Sequence, residues 1–280
     1  MSEVNKEFTF ENEQYRKTYW HTCSHILAQA VKRLHPEVKL AIGPSIDNGF
    51  YYDLDAPFAF TPEDLAEIEG EMRKICKEKL KLERFELPRE EALQYMEDRQ
   101  EPYKVELIND LPEDAVISFY KQGEFTDLCA GPHLDSTGRI KGNAIKLTAC
   151  NAAYWRGDSK RKMLQRIYGT CFPKKEELDA YLARIEEAKK RDHRKLGKDL
   201  ELFTFSQRVG QGLPLWLPKG AALRDRLEQF LRNVQKEYGY QQVITPHIGN
   251  KELYVTSGHY AKYGKDSFQP IRTPDENEEF

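Results

Sequence analysis

Two pairs of side chains carry the chemistry this sequence can offer. His21 and His25 stand four residues apart in Tyr19-Trp20-His21-Thr22-Cys23-Ser24-His25, and Cys129 and His133 stand four apart in Asp127-Leu128-Cys129-Ala130-Gly131-Pro132-His133. On a helix, side chains at i and i+4 share a face one turn apart, so His21 and His25 can point into one cavity. Gly131-Pro132 places the second pair in a polar turn. If the fold brings the pairs together, three imidazoles and a thiol make one pocket that can hold a metal ion or direct a water onto an ester. A lone histidine pair is more often satisfied or solvated, and a lone cysteine more often a small core residue. The conjunction is what points to a site; neither pair has the short C-x2-C spacing of a structural zinc finger.

Apolar periodicity supplies the elements that must position these groups. Ile26, Leu27, Ala30, Val31 and Leu34 recur at helical spacing, which predicts a helix over 18–34 ended by His35-Pro36, with residues 1–18 as an extended lead-in. Residues 39–55 read as two strands joined at Asp47-Asn48-Gly49. Thr61-Pro62-Glu63-Asp64 opens a helix whose stripe is Leu65, Ile68, Met72, Ile75 and Leu80. A strand over 82–87 and a helix over 89–99 follow. Between 103 and 170 short apolar or alternating runs at 105–108, 116–120, 145–147 and 164–168, divided by Gly, Pro and Asp, read as strands. The expectation is an α+β domain over 19–172, helices packed on an antiparallel sheet. A charge-dense linker helix spans 173–199, and a second unit fills 200–280, with a helix striped by Leu223, Leu227, Phe230, Leu231, Val234 and Tyr238 and a strand over 241–245.

Bulk properties set outer limits. The chain has 280 residues, 32% charged and 39% hydrophobic, with a formal net charge of -3, which suits a soluble chain of about two domains. That charge exerts no long-range pull on phosphate, so any RNA contact must come from local patches. Five scattered cysteines, an odd number, suit reduced thiols. Residues 1–7 lack signal or transit character and no apolar run is long enough for a bilayer, so a cytoplasmic protein without membrane contact is expected. The acidic segment 272–280 reads as cut rather than finished.

Several further motifs resemble the threonyl-tRNA synthetase family. They are Ala41-Ile42-Gly43-Pro44 with Asp47-Asn48-Gly49-Phe50-Tyr51-Tyr52-Asp53, Ala153-Tyr154-Trp155-Arg156-Gly157-Asp158-Ser159, and Met163-Leu164-Gln165-Arg166-Ile167-Tyr168-Gly169-Thr170. Together with the histidine and cysteine motifs they look like that family's editing region; Arg191-Asp192-His193-Arg194 is similar to its linker helix, and 218–246 to the opening of a class II catalytic domain. The resemblance covers about 15–280. It implies a chain carrying the editing domain, the linker and an incomplete class II catalytic domain, without the family's ubiquitin-like amino-terminal domain. ATP, magnesium and one catalytic zinc would serve the complete enzyme, with the zinc ligands beyond Phe280, and the complete enzyme would be a homodimer. Aminoacylation is not expected of this chain alone.

The resemblance also implies a reaction. Threonine and serine differ by a methyl, worth only about 1–3 kcal/mol of discrimination, so a second site hydrolyses serine esterified to the acceptor end of tRNA(Thr). The family's editing pocket carries over to His21, His25, Lys104, Asp127, Cys129 and His133. On that reading His21 positions water or acts as general base, Lys104 stabilises the oxyanion, Asp127 holds the serine hydroxyl or amine, and Cys129 and His133 shape the wall. Taken without the family, Lys104 is a solvated strand lysine. Tyr103, Trp155 and Arg156 are expected against substrate, with Tyr154-Trp155-Arg156 and Lys160-Arg161-Lys162 either stacking on bases and neutralising phosphate or forming an exposed basic turn. Ala130 stands where many relatives carry arginine, which removes a phosphate contact. Editing is expected to need no cofactor. The alternatives are a zinc-dependent hydrolase of the alanyl-tRNA synthetase type, with His21, His25, Cys129 and His133 as ligands, and a non-catalytic tRNA-binding module.

Overall fold

The computed structural model describes residues 9–266 with 268 and 271; the acidic segment 272–280 lies outside them. The chain divides into two compact units, Met1–Lys189 and Lys190–Phe280. The first contains α1 (Glu13–Leu34), β1 (Lys39–Leu40), β2 (Ser45–Ile46), β3 (Gly49–Asp55), α2 (Pro62–Glu78), β4 (Leu82–Leu87), α3 (Arg89–Asp98), α4 (Pro102–Asn109), β5 (Ile117–Gln122), β6 (Phe125–Leu128), β7 (Ile145–Tyr154), β8 (Met163–Cys171) and α5 (Lys175–Lys190). Two antiparallel sheets result: one in the order β1-β3-β8-β7 with β2 on β3, the other β4-β5-β6. This mixture of helices and antiparallel sheets is the expected α+β class.

The central element is α1. It starts five residues before the expected 18, because Asn12 caps it by accepting the Tyr15 N–H at 3.1 Å, so residues 13–18 are helical rather than extended. Twelve of its residues are buried, including Cys23, Ile26, Leu27 and Val31. It packs on α2 and β3, and the Trp20 indole donates to the Cys171 carbonyl at 2.9 Å, tying it to β8. α2 begins with a complete capping box between Thr61 and Asp64, and its Ile68, Met72 and Ile75 are fully buried, as the stripe predicts. Phe50, Tyr52 and Leu54 alternate inward from β3 into the same core. A smaller core of Ala92, Met96, Ile108, Ile117 and Phe119 joins α3 and α4 to the second sheet.

Residues 105–108, expected as a strand, lie in α4. A four-residue apolar run does not distinguish strand from buried helix. Here Pro102 sits in the first helical turn, and the preceding Glu101 accepts the Leu40 N–H at 2.7 Å and pairs with Lys32 at 2.9 Å, fixing where α4 starts. Lys104 therefore faces inward. The linker also differs: α5 ends at Lys190 and α6 (His193–Asp199) restarts after Asp192, whose carboxylate accepts the Arg194 N–H at 2.8 Å. That side-chain cap favours a new helix over continuation.

The second unit holds α6, the antiparallel pair β9 (Phe203–Thr204) and β10 (Leu215–Trp216), α7 (Pro218–Glu237), α8 (Lys251–Thr256) and α9 (His259–Tyr263). Its buried residues among those described are Gly197 and Gly220. The stripe on α7 forms as expected but faces outward, with Leu227 57% and Phe230 63% exposed. Residues 241–245 form no strand, because no partner edge pairs with them among the described residues.

Candidate functional site

The fold does bring the two pairs together. His21 and His25 project one turn apart from α1, and Cys129 to His133 follow β6 as a loop against them. One ligand atom from each of His21, His25, Cys129 and His133 lies within 4.8 Å of the others. The His133 ring centroid is 4.1 Å from that of His21 and 4.0 Å from that of His25. Gly131 makes the loop possible: its φ of 78° is left-handed, and a Cβ there would collide with the Tyr120 ring.

Behind these groups lies a second, buried layer. Asp127 belongs to β6 rather than to a turn, and its Oδ1 pairs with Lys104 Nζ at 2.6 Å, both side chains 3% exposed. The Tyr52 hydroxyl donates to Asp127 Oδ2, and Lys104 Nζ donates to the Tyr52 oxygen at 3.0 Å. His25 Nε2 approaches the same carboxylate at 3.8 Å. The exposed lysine expected from sequence alone is thus a buried one. His21, Cys129 and His133 are half-buried, and His25, Asp127, Lys104 and Tyr52 are buried directly behind them.

Hydrogen bonding fixes one tautomer. The Thr22 hydroxyl spends its single proton on the Thr18 carbonyl at 2.9 Å and accepts the Leu134 N–H at 2.9 Å. At 3.3 Å, His133 Nδ1 must therefore be the donor to Thr22, leaving a lone pair on Nε2 towards Cys129 Sγ at 3.2 Å. His21 Nε2 meets the same sulfur at 3.3 Å, and the Gly131 N–H donates to it at 3.2 Å. Burial pushes the Cys129 thiol up to about 12, so it is protonated at neutral pH and a poor nucleophile. Burial, Asp127 and the hydrogen bond to it also hold the Tyr52 proton on. All three imidazoles are lowered, chiefly by burial, and so are neutral; for His25 and His133 the neighbouring imidazoles add to this.

The histidine shifts give a pH dependence of known sign. His25 lies well below the usual 6.5, so the unfolded chain binds a proton that the folded one refuses. This stability is present above about pH 6.5 and is lost as pH falls, by up to about 1.4 kcal/mol per pH unit for each such group. With chelator present, the urea midpoint of the chain should drop from pH 7 to pH 5, and His25→Gln should flatten the slope. Equal slopes in the two proteins would show that His25 is not the group responsible.

A divalent metal has a chemically apt donor set here. Three imidazole nitrogens and a thiolate suit tetrahedral zinc, with His133 Nε2 already presenting its lone pair and His25 Nδ1 buried without a hydrogen-bond partner. A bound cation would have to displace the contacts of Cys129 with His21 and His133 and its thiol proton.

The residues expected against substrate lie elsewhere. Trp155 is 3% exposed, its ring packs on Tyr103 and its indole donates to Glu106 at 3.1 Å, so neither of its faces is open to a base. Tyr103 is buried and donates to Asp55 at 2.7 Å. Arg156 pairs with Glu106 and Asp110, Arg161 with Glu106, and Lys162 with Asp55, so three cations of the expected phosphate patch are already neutralised within the chain. Tyr52 and Thr22 were missed as site residues. The signal for Tyr52 was present: alternation puts it on the inward face of β3 with Phe50 and Leu54, where a phenol needs a polar partner.

Comparison with known proteins bears on these residues directly. The family model described as "Threonyl and Alanyl tRNA synthetase second additional domain" matches residues 117–168, the segment containing Asp127, Cys129 and His133. The chain is 60% identical over 273 residues to a threonine–tRNA ligase of Clostridium tetani, covering 96% of this chain and 42% of the relative. It is 56% identical over 277 residues to those of Azobacteroides pseudotrichonymphae and Porphyromonas gingivalis, covering 98% of this chain and 42% of each relative. The resemblance read from the motifs thus extends along nearly the whole chain, which spans about two fifths of the length of these curated relatives.

Proposed function

We infer that this chain, a segment recognised as threonyl-tRNA synthetase, carries a site hydrolysing serine mistakenly esterified to tRNA(Thr). The observation that carries the reading is the meeting of half-buried His21, Cys129 and His133 with the buried Lys104–Asp127 pair in one place. A neutral His21 can accept a proton from water poised at the ester carbonyl. Lys104 would stabilise charge developing on that oxygen. Asp127 would act on the serine hydroxyl or amine, with Cys129 and His133 closing the wall against threonine's extra methyl. tRNA(Thr) would present its acceptor end as partner. Because Trp155 is buried and the nearby arginines are paired, phosphate contact would fall to other residues, such as the exposed Lys160.

Residues 200–280 are proposed as the opening of a class II catalytic domain, with the exposed stripe of α7 at the subunit contact of a homodimer. The whole protein would ligate threonine to tRNA(Thr) with ATP, magnesium and a zinc held outside this chain, in the cytoplasm. No helix of the described residues is long and apolar enough to cross a membrane.

The test is deacylation of Ser-tRNA(Thr) and Thr-tRNA(Thr) by the chain as it stands. Hydrolysis of the seryl ester well above the threonyl ester supports the reading; equal rates, or tRNA binding with no turnover, favour a non-specific hydrolase or a binding module. The four-ligand cluster supports one competing chemistry, a zinc-activated hydroxide. We expect zinc far below one per chain in untagged protein and unchanged deacylation after chelation. Stoichiometric zinc that disappears in Cys129→Ser would replace the water-and-imidazole mechanism with the metal one.

A further inference from the structure

One group touches both Lys104 and Asp127 and has no part in the hydrolytic roles above. β3 pairs with β8 so that Tyr52 lies opposite Ile167, and its side chain is fully buried. The Tyr52 oxygen accepts from Lys104 Nζ at 3.0 Å while its proton goes to Asp127 Oδ2; Asp127 Oδ1 closes the circuit to Lys104 at 2.6 Å. Each member of this three-membered ring therefore has two partners within it, and His25 Nε2 lies 3.8 Å from Asp127 Oδ2. A lysine ammonium rides on a flexible four-carbon stem, and a single carboxylate fixes its distance better than its direction. Two acceptors on different strands, β3 and β6, fix both.

Resting on the hydrolytic reading, we propose that Tyr52 is a positioning residue that aims the Lys104 ammonium at the reacting ester. Catalysis by a fixed charge depends on that charge being oriented before the reaction begins. Loss of the phenol oxygen leaves the Lys104–Asp127 pair intact but free to swing, so the effect falls on turnover rather than on binding.

The experiment measures kcat and KM for Ser-tRNA(Thr) deacylation in the full chain, Tyr52→Phe, Lys104→Met and the double variant. Tyr52→Phe is expected to lower kcat about tenfold with KM unchanged, and to lower it no further in the Lys104→Met background. Substituting 3-fluorotyrosine at position 52 keeps the shape while weakening the phenol oxygen as acceptor, and is expected to lower kcat in the same direction. It also reads the effect if Tyr52→Phe does not fold. Absence of seryl hydrolysis by the unaltered chain would remove the underlying reading. An active chain whose kcat is unmoved by Tyr52→Phe or fluorotyrosine, or is lowered equally with and without Lys104, would overturn the positioning role alone.

Discussion

Replacement of His21 by alanine is expected to slow hydrolysis of Ser-tRNA(Thr) by about a hundredfold or more, the usual range for removing a general base. Of the four clustered groups, His21 is the half-buried imidazole not tied to Thr22, although its Nε2, like that of His133, meets Cys129 Sγ. His25 is sealed at 2% exposure. His133 donates through Nδ1 to Thr22 and turns Nε2 towards Cys129. The Cys129 thiol keeps its proton, so covalent attack by sulfur would first have to overcome an ionisation raised to about 12. His21 is half-buried and kept neutral by its surroundings, so on the proposed reading it would accept the proton from water at neutral pH. The contrast with Cys129→Ala makes the test sharp: a wall residue should cost less than tenfold, whereas a nucleophile should cost a thousandfold. A collapse of activity in Cys129→Ala with His21→Ala nearly unaffected would reverse the assignment. Single-turnover deacylation reads both variants under the same conditions.

Removal of the Asp127 carboxylate is expected to have the largest effect on stability. Asp127 and Lys104 are each 3% exposed and pair at 2.6 Å. Breaking such a pair from one side leaves an uncompensated charge in the interior, at a cost of about 3–5 kcal/mol. Asp127→Ala should accordingly lower the melting temperature of the chain by on the order of 10 °C. The compensating change is informative, because replacing both members by apolar groups of similar size removes the desolvation cost as well. Lys104→Met with Asp127→Leu should recover most of the lost stability while leaving deacylation abolished. If the double variant is no more stable than Asp127→Ala alone, the carboxylate supports the fold through Tyr52 and His25 rather than through the lysine.

The degree to which the sequence revealed this site follows from the range of each signal. His21 and His25 share a helical face because the i,i+4 rule is local, and the Asp47-Asn48 hairpin and the Thr61 cap are local as well. Lys104 was legible as a site residue only through the family resemblance. Its four-residue apolar neighbourhood suggested a strand, and its helix is set by Glu101 reaching β1 and Lys32. Trp155 looked available for a base because aromatic residues beside arginines often stack on nucleic acid. Its burial depends on Tyr103, Ala41 and Leu164 converging from separate elements. The apolar stripe of α7 was readable as a helix, yet its outward direction was not, since periodicity fixes a face but not what covers it.

By itself the sequence determined the α+β class, the helix capped by Thr61, the identity of the thiol and imidazoles, and the likeness to threonyl-tRNA synthetases. These rest on spacing and residue type, which act over a turn of helix or a hairpin. Only the tertiary structure decided that the two pairs meet within 4.8 Å, that Lys104 and Asp127 lie sealed beneath them, and that Tyr52 links the two. Burial and pairing depend on contacts between residues as far apart as Tyr52 and Asp127, and local spacing carries no information about them.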